Sequence, residues 1–359
     1  MRNKTVDVIR GLLMLYIVGI VHGVFWLELI PRPFSSILLF EMPLIFLVSG
    51  YSFALFSSNT GFQLSFPGYF KYLVSRLIRV LVPYYGYATV CVIAIIAYTR
   101  GANYMAVISD WMNPFIFQKL DPFGLLTSHL WFVPPFIIVT LALPFISSVK
   151  LPIWSTVVPV CIVIVTLKSY SYGRLLTPFF YLYWTWIGYR LALDVKINYK
   201  ILIAIILTGT ISLLGLAYFP SITMDMQTNK FPPNLLFFAF SAVWVSFFLL
   251  LTTVVKASRL KFLEESKLLR PFINKGYSIY LWQGAGYLIS IKICELLGLS
   301  KYFQWGMAVA LAALIGIMFS PLEKIRWRFK KAESLPKPIE RKTLVSVGSR
   351  SGAEERHKN

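Results

Sequence analysis

Two histidines, a lone carboxylate and several arginines are the groups in this 359-residue chain whose types and spacing could do chemistry. His22 lies in an apolar run that opens with Asp7 and Arg10. In a helix it would be roughly 18 Å deeper than the arginine, at about 1.5 Å per residue, too deep to snorkel back to water. An ionisable group kept in hydrocarbon points to a reaction, a proton relay or a pathway, with a structural histidine capping a carbonyl as the plainer alternative. Glu41 enters the next apolar run at the depth of His22 if the two runs form a hairpin. A carboxylate beside an imidazole raises its basicity and fixes its tautomer, as a general base requires. The alternative is that Glu41 lines a wet outer vestibule and never meets His22.

Arg76 and Arg79 share one helix face before the third run. Guanidinium forks suit phosphates, so the pair is a candidate for gripping an anionic cosubstrate, and equally for simply marking the cytoplasmic border. Asp7 and Arg10 are likewise spaced to pair as an interfacial anchor. The long segment before Ser128-His129-Leu130-Trp131-Phe132 contains Asp110 and Asp121. It offers an acceptor carboxylates and aromatic faces, or else the ordinary aromatic belt of a membrane interface. Tyr280 and Gln283 stand in Tyr277-Ser278-Ile279-Tyr280-Leu281-Trp282-Gln283, where a mid-membrane glutamine most simply makes a helix–helix hydrogen bond.

These residues need membrane helices to hold them. The chain is 57% hydrophobic and 14% charged with mean hydropathy +0.68, which excludes an ordinary soluble core. Apolar runs at 8–29, 34–56, 82–99, 130–148, 152–167, 175–193, 200–219, 234–256, 273–292 and 300–322 predict an all-α polytopic bundle of about ten transmembrane helices. With the N-terminus inside, 27 of the 35 lysines and arginines fall on the cytoplasmic side and eight outside, so both termini are expected in the cytoplasm. The net charge of +20 thus reports topology, with no nucleic-acid partner implied. Residues 1–322 read as the transmembrane domain, and 323–359 as a basic, disordered cytoplasmic tail whose first part touches anionic lipid headgroups. Cys91, Cys161 and Cys294 have neither disulfide nor metal spacing. The first run is longer than a signal-peptide core and is expected to stay as a span.

In order along the chain, several motifs resemble acyltransferase family 3, the bacterial membrane O-acyltransferases. They are Asp7-x-x-Arg10-Gly11 with His22, Met42-Pro43 through Ser49-Gly50-Tyr51, Arg76-x-x-Arg79-x-x-x-Pro83-Tyr84, His129-Leu130-Trp131-Phe132 and Tyr277-Ser278-Ile279-Tyr280-Leu281-Trp282. The resemblance implies transfer of an acyl group, most simply acetyl, from cytosolic acyl-CoA to a hydroxyl of a surface polysaccharide, lipid-linked sugar or small molecule at the outer face of a bacterial inner membrane. It implies His22 as base with Glu41 beside it, and Arg10, Arg76 and Arg79 on the donor's phosphates. His129, Trp131, Tyr280 and Gln283 would face the acceptor. No metal or permanently bound cofactor is called for. A glycolipid or small-anion transporter, and an inactive relative acting as a scaffold, are the alternatives.

The chain departs from the family pattern twice. Eleven residues separate Arg10 from His22 where the family has ten, and Gln283 stands where the family commonly has histidine. The extra residue would leave the two side chains about 120° apart on a regular helix. If both serve one cavity, a π-bulge between Leu12 and Val21 should absorb it, with Gly19 a natural place for the strain and both side chains facing the bundle interior; the alternative is a regular helix in a cavity broad enough to tolerate the offset, with His22 still facing inward.

Overall fold

The computed structural model describes residues 3–100, 103–117, 119–169, 173–193, 198–254 and 262–325. Apart from 323–325, the expected tail lies outside the described residues. Among those described the chain forms no strand, as expected where lipid cannot satisfy backbone groups and each segment must do so internally. The helices are α1 (Lys4–Leu15), α2 (His22–Trp26), α3 (Glu41–Thr60), α4 (Phe66–Thr99), α5 (Tyr104–Met112), α6 (Val133–Ile146) and α7 (Ile153–Ser169). They continue with α8 (Gly173–Ala192), α9 (Tyr199–Ala217), α10 (Met226–Lys230), α11 (Leu235–Val254), α12 (Arg270–Leu297) and α13 (Lys301–Phe319).

Each apolar run of the sequence overlaps at least one of these helices, while α5 and α10 fall between runs. Among the described residues six stretches can, by length and composition, cross a membrane: Lys4–Trp26, Phe34–Thr60, Phe66–Thr99, Tyr199–Ala217, Leu235–Thr253 and Lys301–Lys324. Leu130–Ile146 and Ile153–Ser169 are apolar but shorter. Helix α4 begins earlier than the apolar run suggests, at a Ser65 cap that accepts from the Gly68 amide, and ends where Arg100 turns left-handed. Its 34 residues span about 51 Å, well beyond the roughly 30 Å of hydrocarbon, so Arg76 and Arg79 belong to the same continuous helix as the span itself, with Pro83 between them and its remainder.

The first span is not a regular helix. Between α1 and α2, Tyr16–Val21 form a π-helical turn, in which the His22 amide donates to the Ile17 carbonyl five residues back. This is the widening expected to absorb the extra residue. Two side chains from the last two helices reinforce it: Tyr287 donates to the Val18 carbonyl at 2.7 Å, and the Trp305 indole to the Gly19 carbonyl. Side chains that bond directly to the helical ladder are a recognised cause of such irregularity.

Close backbone approach at two glycines fixes one helix pair. A Cβ on Gly50 would land on the Thr185 carbonyl, and one on Gly188 on the Leu47 carbonyl, so α3 and α8 cross with main chains touching. Small residues at such crossings drive association where lipid removes the hydrophobic incentive. Helix α12 breaks at Lys275 (φ −138°, ψ 22°), and just beyond the break Glu323 Oε1 accepts from the Ser278 amide at 2.6 Å.

Buried tyrosines tie the segment between α4 and α6 to the bundle. Tyr84 donates to the Trp111 carbonyl at 2.7 Å, Tyr87 to Leu126 at 2.8 Å and Tyr280 to His129 at 2.7 Å. The expected vestibule carboxylates are spent inside this segment. Asp110 accepts from the Leu120 amide, and Asp121 from the Phe123 and Thr127 amides at 2.9 and 3.1 Å.

Candidate functional site

His22 sits at the first residue after the π-turn, and its side chain lines a cavity of about 250 Å³. Five pieces of chain build the walls: the first span with the π-turn and α2, the segment leading into α3, the turn before α6 with Ser128 and Trp131, α10, and α12 through Tyr280. A hydrogen bond ties the segment before α3 to α10, since Ser36 Oγ accepts from the Met226 amide at 3.0 Å.

The imidazole is held from behind. Its Nδ1 lies 2.7 Å from Gln283 Oε1, and its ring stacks on Trp26 with centroids 4.4 Å apart. An amide oxygen can only accept, so this contact places the imidazole proton on Nδ1 and leaves Nε2 with its lone pair. That is the arrangement a general base needs. Gln283 is fully buried behind the imidazole and is not part of the cavity lining, and its Nε2 has no partner. The glutamine that departs from the family pattern is thus the residue that orients the histidine.

Glu41 does line the same cavity, but its bonded partner is a lysine. Glu41 Oε1 accepts from Lys230 Nζ at 2.8 Å, and the two side chains are 4% and 3% exposed. Its other oxygen, Oε2, is buried without a partner. Because Glu41 is the first residue of α3, the helix N-terminus also favours its charge. Sequence reasoning misses Lys230, which counts there only as one of the outer cations. A signal for it exists: a carboxylate inside an apolar span demands a cation, since an unpaired buried charge costs several kcal/mol. Asn229 and Asn234 hold Lys230 in place through bonds to the Thr223 and Asp225 carbonyls and to each other, and Trp131 lies under its ammonium at 4.8 Å.

Trp131 and Tyr280 line the cavity. His129 does not. It is fully buried, with Nε2 2.9 Å from the Leu281 carbonyl and its own carbonyl bonded to Tyr280, so it pins α12 to the 130s turn and supports the ring wall around His22.

The three arginines lie elsewhere. Arg10 pairs with Asp7 at 2.7 Å and remains 46% exposed, so of the two first-span residues only His22 turns inward. Arg76 lies over the Phe56 and Tyr72 rings, 5.4 and 5.6 Å from their centroids, and Arg79 is exposed one turn further on. Tyr87, two turns beyond Arg79 on α4, has its ring 5.8 Å from His129. The Arg79 end of the helix is thus about 12 Å along the axis from the level of the cavity.

Among known proteins, a family model described as an acyltransferase domain, that of acyltransferase family 3, matches residues 3–321. Neither the curated proteins nor the solved structures compared with the chain gave a match. A model that covers the cavity, the π-turn and nearly all of the helical bundle is enough to say that this chain belongs to acyltransferase family 3, a family of acyl-transferring membrane enzymes.

Proposed function

We propose that the protein is an O-acyltransferase of a bacterial cytoplasmic membrane, with ten spans and both termini inside. It moves an acyl group, acetyl in the simplest case, from cytosolic acyl-CoA to a hydroxyl of a glycan, lipid-linked sugar or small molecule presented from the outer side. The observation that carries this reading is the His22–Gln283 contact behind a cavity wall, which leaves Nε2 as an acceptor. His22 Nε2 takes the proton of the acceptor hydroxyl as its oxygen bonds to the thioester carbon. The carbon–sulfur bond breaks, and the same proton returns to the sulfur, releasing the CoA thiol and the ester. Arg76 and Arg79 hold the donor's phosphates at the inner end of α4, with Arg10 on the same side. The acyl-bearing arm reaches along the bundle axis to the cavity. Trp131 and Tyr280 form the acceptor's walls, while His129 and Gln283 act through the groups that they position.

The test is a reconstitution with labelled acetyl-CoA and an outer-membrane glycan extract, following label transfer to glycan and donor affinity separately. His22→Ala should abolish transfer and leave acetyl-CoA affinity near that of the wild type. The double variant Arg76→Ala, Arg79→Ala should weaken donor binding at least tenfold, as loss of charge-assisted phosphate contacts requires. Transfer that persists without His22 would end its assignment as base. Undiminished donor affinity in the double variant would return the arginines to a border role.

A further inference from the structure

We propose that the acceptor is acidic, carrying a carboxylate or phosphate group that Arg32 binds at the cavity rim while a hydroxyl lies against His22 and Glu41. The word acceptor rests on the acyl-transfer reading above; the preference of the cavity for an anion does not.

The charged side chains lining this cavity are Arg32, Glu41 and Lys230. Glu41 and Lys230 cancel, being joined at 2.8 Å and buried together. Arg32 is left over. Among the described residues no carboxylate lies within ion-pair distance of it, and its guanidinium rests over the Phe25 ring, 5.7 Å from the centroid. Phe25 lines the cavity too, so the contact holds the fork at the mouth rather than free over the surface.

The interior asks for a different partner. Glu41 Oε2 is buried and bare, and a hydroxyl donor from a ligand would satisfy it. Trp131 and Phe231 meet edge to face at 4.7 Å beside it, giving aromatic surface of the kind on which sugar rings pack. A molecule that fills the space therefore presents hydroxyls inward and negative charge outward. Arginine rather than lysine at the rim suits a planar, two-oxygen anion held by two parallel hydrogen bonds.

The experiment uses the purified full chain in nanodiscs and measures binding by calorimetry for three probes: methyl glucoside, the corresponding uronic acid and the corresponding phosphate monoester. At least one acidic probe should bind roughly tenfold tighter than methyl glucoside in low salt. Arg32→Gln should remove that advantage, while Arg32→Lys keeps part of it. A preference confined to the uronic acid or to the phosphate names the source of the charge. Equal affinity for all three probes, no binding of any, or a preference that survives Arg32→Gln overturns the proposal. Acetyl transfer is followed in the same preparations. Anion preference without transfer would count against the acyltransferase reading and leave the Arg32 site standing.

Discussion

A histidine becomes a useful base only when something decides which nitrogen carries the proton, and here an amide does so. Gln283 Oε1 accepts from His22 Nδ1, so Gln283→Leu, which keeps the size and loses the acceptor, should lower kcat about 100-fold with KM little changed. Gln283→Glu restores an acceptor at the same place and should recover most of the rate. Equal losses in both variants, or a loss in KM alone, would show that the glutamine only fills space. The buried pair beside it is open to an equally direct test. Lys230→Met strands the Glu41 carboxylate and should cost about 3–5 kcal/mol of stability, whereas Glu41→Gln combined with Lys230→Met removes both charges and should fold nearly as well as the wild type. Thermal unfolding of the three proteins separates the pair's structural cost from any catalytic role.

Single side chains cannot explain why His22 faces inward, because that is a property of the helix that carries it. One residue added to a turn rotates everything beyond it by about 100°, and the π-turn at Tyr16–Val21 does this directly before His22. The α3–α8 crossing sets the wall that carries Glu41. Gly50→Ala and Gly188→Ala each drive a methyl into a facing carbonyl and should destabilise by about 1–3 kcal/mol or more, whereas Gly215→Ala, with open space around it, should be neutral or slightly stabilising. The segment between α5 and α6 gives a pH-dependent signature. Burial pushes the Lys119 amine down from 10.5 to about 8, against the pull of Asp110. The unfolded chain therefore binds more protons between about 8 and 10.5, so stability rises with pH across that window. The guanidinium of a Lys119→Arg variant stays charged throughout, so the melting temperature of the wild type should gain on that of the variant between pH 8 and 10.5, modestly because the amine is partly solvated.

For the whole molecule the decisive question is sidedness. Of the eight cations that the proposed topology puts outside, Lys119 and Lys230 are buried in specific contacts, so in that topology the contrast between the two faces would be sharper than the raw count. Cysteine placed at Ser221 should react with an impermeant reagent applied outside intact cells, and cysteine at Ser58 should not; both positions are exposed, whereas Asn229 nearby is buried and would be a poor reporter. Reaction at Ser58 from outside would overturn the proposed orientation.

Periodicity and hydropathy determined where the long apolar helices are, because a bilayer accepts few other ways of hiding a backbone, whereas the short helices α5 and α10 lie outside every apolar run. The order of short motifs carried the family, and the odd spacing between Arg10 and His22 pointed to a π-turn, since helical geometry turns a residue count into an angle, although Arg10 itself stays beside Asp7 outside the cavity. What the sequence left open were the contacts between side chains far apart along the chain. Glu41 was legible as a carboxylate at the depth of His22, but the choice between an imidazole and a lysine as its partner depended on where α10 folds back over the cavity. Gln283 read as an ordinary helix–helix bond and His129 as an acceptor contact until packing put the first behind His22 and the second against α12. Hydrophobic patterning fixes which face of a helix turns inward. Which buried polar group meets which is settled only when all the helices pack at once and every such group must find a partner.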